Sequence, residues 1–179
     1  SVYVADVYTN RIQKFNSQGM PYGRWGTQGH LYGQSQTPYG VAVASDGSVY
    51  VADRNNDRIQ KFNSEGVSGS QWGNTGQGDG QFEEPGGVAV VGLNGDGHQD
   101  RAPATVGGDR GGVRVGSGDG TFAGGANVAV GDRPLSVSVA DFNGDGVQDL
   151  GVPNADDNNV SILLGEPGVI PDPTVTYTS

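Results

Sequence analysis

Residues 1–43 align with residues 48–90 without a gap, at a constant offset of 47. "SVYVADVYTNRIQKFNSQG" meets "SVYVADRNNDRIQKFNSEG", Trp25-Gly26 meets Trp72-Gly73, and "YGVAV" at 39–43 meets "GGVAV" at 86–90. A second repeat follows. "VAVVGLNGDGHQD" at 88–100 aligns with "VSVADFNGDGVQD" at 137–149, offset by 49, and "GGVRVG" at 111–116 meets "VSILLG" at 160–165. A period of this length belongs to one supersecondary unit that cannot bury its apolar faces alone and must stack on its neighbours.

Each unit reads as short strands between turn residues. In the second unit the runs are 41–44, 48–52, 58–62 and about 67–72. Asp46-Gly47 is a hairpin signal between the first two, and Asn55-Asn56-Asp57 makes the next turn. The 33 glycines and 34% hydrophobic content fit many tight turns between short strands. No stretch carries helical periodicity of useful length.

Four strands in about 45–50 residues is the size of a propeller blade. The prediction is an all-β fold, a β-propeller of about four four-stranded blades. It is either a small closed ring or part of a larger or oligomeric propeller. A β-sandwich is the alternative, but it does not generate near-identical units of one blade length.

Within the strands, Arg58-Ile59-Gln60-Lys61-Phe62 and its copy at 11–15 alternate polar and apolar, which predicts one buried face. Trp25 and Trp72 are expected to pack between blades, with stacking on a sugar or peptide as the alternative.

The stretch "PYGVAVASDGSVYVADRNNDRIQKFNSEG" at 38–66, with the Trp-Gly that follows, resembles the NHL repeat family, and the likeness spans roughly residues 1–90. "SVSVADFNGDGVQDLGVPNADDNNVSILLG" at 136–165 resembles the FG-GAP/VCBS repeats of integrin α-chain propellers and bacterial surface proteins. The copy at 87–122 departs from it where Arg101 replaces Leu150 and Gly111 replaces Val160, which predicts a softer blade. Both resemblances imply four-stranded blades. The organisation expected is one continuous propeller domain: NHL-like blades at 1–86, FG-GAP/VCBS-like blades at 87–165, and a Pro-rich segment with a terminal strand at 166–179. The resemblances imply rings of about six or seven blades, more than this chain supplies.

"DFNGDGVQD" at 141–149 places Asp141, Asn143, Asp145 and Asp149 at positions 1, 3, 5 and 9, with Gly146 at the sharp turn. Calcium takes six to eight oxygen ligands. Three carboxylates, the Asn143 amide oxygen and the Val147 carbonyl are candidate calcium ligands. An EF-hand would close with Glu at position 12. Val152 stands there, and the flanks alternate like strands, so the loop belongs in a β-hairpin. The alternative is a polar turn without an ion. The sister loop at 92–100 keeps Asn94, Asp96 and Asp100, with His98 offering its backbone carbonyl, but Gly92 replaces the first Asp. It reads as a degenerate calcium loop that is expected to bind weakly or not at all.

The formal net charge of −10 disfavours nucleic acid, whose phosphates need a basic face. There is no Cys and no apolar run long enough for membrane insertion. The chain starts directly in the strand-like "SVYVAD", so it reads as a processed product or a piece of a longer chain. Its first unit lacks the "GVAV"-type strand, which predicts an open edge at 1–6. "TVTYTS" at 174–179 is expected either to close the ring there or to pair between copies, giving a homo-oligomer or filament.

The function expected is a non-catalytic, extracellular or cell-surface, calcium-stabilised structural or adhesion module with a protein or glycan ligand. A calcium-dependent lectin is the alternative. The rival class is a hydrolase or lyase. NHL-type propellers include an amidating lyase with metal-binding His residues, whereas this chain has only His30 and His98, in different repeat types. Asp156 and Asp157 form a carboxylate pair that reads as a solvated loop, and "NVS" at 159–161 is a glycosylation sequon.

Overall fold

A computed structural model describes residues 1–76, 78, 80–91, 100–105, 112–114, 127–165 and 175–178, the side chains of residues 91, 100–105, 112–114, 127 and 175–178 aside. These residues form four antiparallel sheets. The first holds β1 (Val2–Asp6), β2 (Arg11–Phe15) and β3 (Pro21–Trp25). The second holds β4 (Pro38–Val43), β5 (Val49–Asp53), β6 (Arg58–Phe62) and β7 (Ser68–Trp72). The third holds β8 (Pro85–Val91), β9 (Asp100–Thr105), β10 (Gly112–Arg114) and β11 (Asn127–Ala129). The fourth holds β12 (Ser138–Ala140), β13 (Asp149–Asn154), β14 (Asn159–Leu163) and β15 (Val175–Thr178). Strands follow one another in sequence order within each sheet, the meander of a propeller blade. The fold is an all-β propeller, and both repeat types build the same blade.

Blades stack through shared apolar layers. In β5 every residue is buried, and alternate side chains go to opposite neighbours. Val49 and Val51 join Phe62, Ile12 and Trp25 between the first and second blades. Tyr50 and Ala52 join Ile59, Phe82, Val88 and Trp72 between the second and third. The fourth blade has its own cluster of Leu150, Val152 and Leu163, closed by Val128 from β11.

The expectation of one buried face for residues 58–62 is therefore corrected. Arg58, Ile59, Gln60 and Phe62 are all buried, because a blade is covered on both sides. Period two here separates two inter-blade interfaces rather than core from solvent. Trp25 lies between blades as expected, edge-on to Tyr3 and tilted against Phe62, both at 5.9 Å. Trp72 stacks on Tyr50 at 6.1 Å.

The first strands of successive blades approach backbone to backbone. A Cβ on Gly40 would meet the Gly86 carbonyl oxygen at 2.6 Å and the Val88 nitrogen at 2.9 Å. A Cβ on Gly87 would meet Ser136 Cα and the Val137 nitrogen, both at 2.9 Å. Each of these strands is led in by the same device. Thr37, Glu84 and Arg133 all sit in the left-handed region (φ 59°, 47° and 52°), each just before a proline. Proline disfavours the helical region for its predecessor, so this conformation is unusual and is used three times.

The terminal strand corrects an expectation. β15 pairs with β14, Val160 opposite Tyr177, and so completes the fourth blade rather than adding to the edge at β1. Arg101 lies in β9, whose backbone alone is described, and Gly111 lies outside the described residues.

Candidate functional site

Because the strands run antiparallel in order, connections alternate between the two ends of the blades. The 44–48 turn and the 141–148 loop join first to second strands at one end. The 54–57 turn and the lead-in loop 26–37 lie at the other, where the Asn55 N–H donates to the Gln36 carbonyl.

The predicted calcium loop joins β12 to β13. Asp141 accepts backbone N–H groups from Gly144 (2.6 Å), Asp145 (3.2 Å) and Gly146 (2.9 Å). Gly144 and Gly146 have positive φ (79° and 87°), which winds the chain around that carboxylate. Asn143 Oδ1 accepts the Asp145 N–H, while Asn143 Nδ2 and the Val147 N–H donate to Asp145. Asp141, Asn143 and Asp145 are exposed.

Asp149 differs from them. It is fully buried, accepting the Phe142 N–H at 2.7 Å and the Gly165 N–H at 2.8 Å. It fixes the base of the loop to the end of the blade's third strand.

The donors are all oxygen, which suits a hard cation. A carboxylate has about four lone-pair sites, so each Asp keeps acceptor capacity. Among the described residues, no three His, Cys, Asp or Glu side chains gather as a metal-holding group. Binding would need Asp141, Asp145 and Asp149 to turn their remaining lone pairs to one point. Of the sister loop, Asn94, Asp96 and His98 lie outside the described residues, as does the side chain of Asp100.

At the opposite end the second blade carries a buried polar clamp that sequence reasoning missed. Asp53 Oδ2 accepts Arg58 Nε at 2.7 Å, Gln60 Nε2 at 2.9 Å and Asn56 Nδ2 at 2.9 Å. Arg58 spends its remaining N–H groups on the carbonyls of His30, Leu31 and Gln34 and on Gln71 Oε1. Gln60 donates to the Gln34 carbonyl and accepts the Gly33 N–H. The clamp satisfies a whole loop against one blade, as buried polar groups require. The signal available was Asp53, Arg58 and Gln60 recurring as Asp6, Arg11 and Gln13.

His30 is exposed and serves through its carbonyl; His98 lies outside the described residues. Asp156 pairs with Arg133 on the surface at 3.1 Å, and Asp157 accepts the Asp132 N–H, as a solvated loop would have it. In the sequon, Asn159 accepts a hydrogen bond from Asn154 and Ser161 is buried in β14. No described helix is long and apolar enough to cross a membrane.

The NHL repeat model matches residues 36–62. A search of the curated proteins finds no significant sequence match. Among solved structures, a streptogramin B lyase superposes with a TM-score of 0.63 at 16% identity, covering 96% of this chain and 50% of that one. Virginiamycin B lyase from Staphylococcus aureus gives 0.60 at 14% identity, over 99% of this chain and 51% of that one. The Dos1 propeller gives 0.57 at 11% identity, over 95% and 42%. The chain thus spans about half the length of these solved propellers. At such identities the likeness shows the fold alone.

Proposed function

We propose that this chain is a non-catalytic propeller segment, stabilised by calcium, that serves as a structural or adhesion module outside the cell or on its surface. The blades at 87–165 are read as FG-GAP/VCBS-like and those at 1–86 as NHL-like. The observation that carries this reading is the 141–149 loop. Its backbone is wound around Asp141, its donors are oxygens only, and buried Asp149 couples the loop to the core of its blade. Calcium would be held by Asp141, Asn143, Asp145, Asp149 and the Val147 carbonyl. It would supply charge neutralisation and a cross-link between β12 and β13, not chemistry.

Two of the similar solved structures are lyases, and an enzyme is the rival reading. The non-catalytic reading is supported by His30 acting through its backbone and by Asp156 and Asp157 acting as surface ion-pair and loop groups. Calorimetric titration with calcium tests the proposal. One site of about 10⁻⁴–10⁻³ M affinity, lost in Asp145→Ala, is expected. No heat beyond dilution in the wild-type chain would end it.

A further inference from the structure

We infer that Asn143 is a self-modification site: its side-chain amide cyclises onto the backbone nitrogen of Gly144 and deamidates without an enzyme. The inference goes beyond the proposed function and does not depend on calcium. Its basis is a comparison of three turns within the chain. Asn16 Oδ1 accepts the Gln18 N–H at 3.0 Å, Asn63 Oδ1 the Glu65 N–H at 3.1 Å and Asn143 Oδ1 the Asp145 N–H at 3.0 Å. Each turn folds the side-chain amide back over the peptide nitrogen in between. What stands in between differs. It is Ser17 and Ser64 in the first two turns and Gly144 in the third. Gly144 has no Cβ to shield its nitrogen, and a Cβ built there would meet nothing within 4 Å, so the approach is open.

The hydrogen bonds around Asn143 match the demands of the reaction. The Gly144 N–H donates to Asp141 Oδ1 at 2.6 Å, which puts a carboxylate base on the nitrogen that must lose its proton. The Asp145 N–H on Asn143 Oδ1 is a donor at the oxygen where negative charge develops when the carbonyl is attacked. Asp145 Oδ2 holds the departing Nδ2 at 2.8 Å. Asp141, Asn143 and Asp145 are exposed, so water reaches the product. These bonds all join near neighbours in sequence, so the loop can rearrange without opening its blade, whose base stays fixed by buried Asp149.

The step balances with water as its only co-reactant. Gly144 N bonds to Asn143 Cγ, and its proton passes to the Asp141 carboxylate. The Cγ–Nδ2 bond breaks, and Nδ2 takes up that proton and leaves as ammonia. The product is a cyclic succinimide. Water opens it at either carbonyl, leaving aspartate or isoaspartate at position 143. Both add a negative charge to a chain of net charge −10. Isoaspartate also adds a methylene to the backbone between β12 and β13, and so alters the spacing of the oxygen-bearing residues in the loop.

The test is peptide mapping by mass spectrometry of the full chain kept in chelator at neutral pH, in heavy-oxygen water, both folded and unfolded in urea. Each deamidation then carries a heavy oxygen, and the chelator keeps the calcium reading out of the result. The expected result is conversion of Asn143 at least tenfold faster than Asn16 or Asn63, and no slower in the folded chain than in urea. Asp141→Asn keeps an acceptor for the Gly144 N–H but removes the base. It should slow conversion of Asn143 at least threefold in the folded chain and leave the rate in urea unchanged. Conversion of Asn143 as slow as that of Asn16 and Asn63 would overturn the inference. So would a folded chain that converts more slowly than the unfolded one, or an Asp141→Asn variant that converts at the wild-type rate when folded.

Discussion

Arg58 Nε donates to Asp53 Oδ2 at 2.7 Å in a pair that solvent does not reach. The repeat-related pair, Arg11 and Asp6, is made at 3.1 Å with about a quarter of each side chain in water. Removing one partner of a buried pair strands the other, at roughly 3–5 kcal/mol, while an exposed pair contributes about 0–1 kcal/mol. Asp53→Ala should therefore lower the unfolding free energy by about 3–5 kcal/mol, and Asp6→Ala by much less. Urea denaturation of the two variants checks this, and equal losses would remove the distinction between the clamps.

Gly40→Ala should be costly although alanine is otherwise benign in a strand. Its Cβ would lie 2.6–3.0 Å from backbone atoms of Gly86, Gly87 and Val88, which cannot swing aside as a side chain could. Overpacking of this kind costs about 1–3 kcal/mol. Gly23→Ala, whose nearest neighbour is Lys14 Cβ at 3.5 Å, is the control and should be close to neutral. Thermal melts of both variants give the comparison.

The carboxyl of Asp6 titrates below the ordinary Asp range, chiefly through the Thr9 hydrogen bond and then through Arg11, against a desolvation that opposes both. A depressed folded-state value means that Asp6 contributes stability above its unfolded value. That contribution is lost as pH falls through the folded one. Asp6→Asn should thus lower the melting temperature slightly at neutral pH, with the difference from wild type closing as pH falls below about 4. A variant profile parallel to wild type throughout would contradict this.

Much of the blade pattern was legible. Asp46-Gly47 turns where expected, with Gly47 at φ 83° and Asp46 Oδ1 accepting the Ser48 N–H, and residues 58–62 form β6. The repeat gave the strand count because each unit is one blade. The clamp was not legible, because Arg58 and Gln60 alternate with Ile59 as surface residues of an ordinary strand do. Only the loop 26–37, distant in sequence, turns them inward. The left-handed residues at 37, 84 and 133 were not foreseen from the proline that follows each; Thr37 and Glu84 are held there by their N–H groups donating to Asn10 and Asp57 of the preceding blade. At the 141–149 loop, proposed to hold calcium, the spacing marked the oxygen-bearing residues but not that Asp149 is buried while Asp141, Asn143 and Asp145 are exposed. Burial of Asp149 depends on Gly165, beyond the end of the third strand.

That division yields a further expectation. Asp149→Ala removes two hydrogen bonds from buried charge and should destabilise the chain even without calcium, by about 3 kcal/mol. Asp145→Ala, on the exposed rim, should leave the calcium-free stability within about 0.5 kcal/mol. Denaturation in chelator separates the two, and equal stabilities of the variants would refute the assignment.

The most direct measurement is the melting temperature of the wild-type chain and of Asp145→Ala, each in chelator and in about 10 mM calcium. For a site of about 10⁻⁴–10⁻³ M, linkage gives about 1.4–2.7 kcal/mol, or roughly 3–10 °C for a chain of this length. The wild type should rise by that amount and Asp145→Ala should not move. A wild-type melt unchanged by calcium, or a variant that rises as far as wild type, would contradict a stabilising ion at residues 141–149.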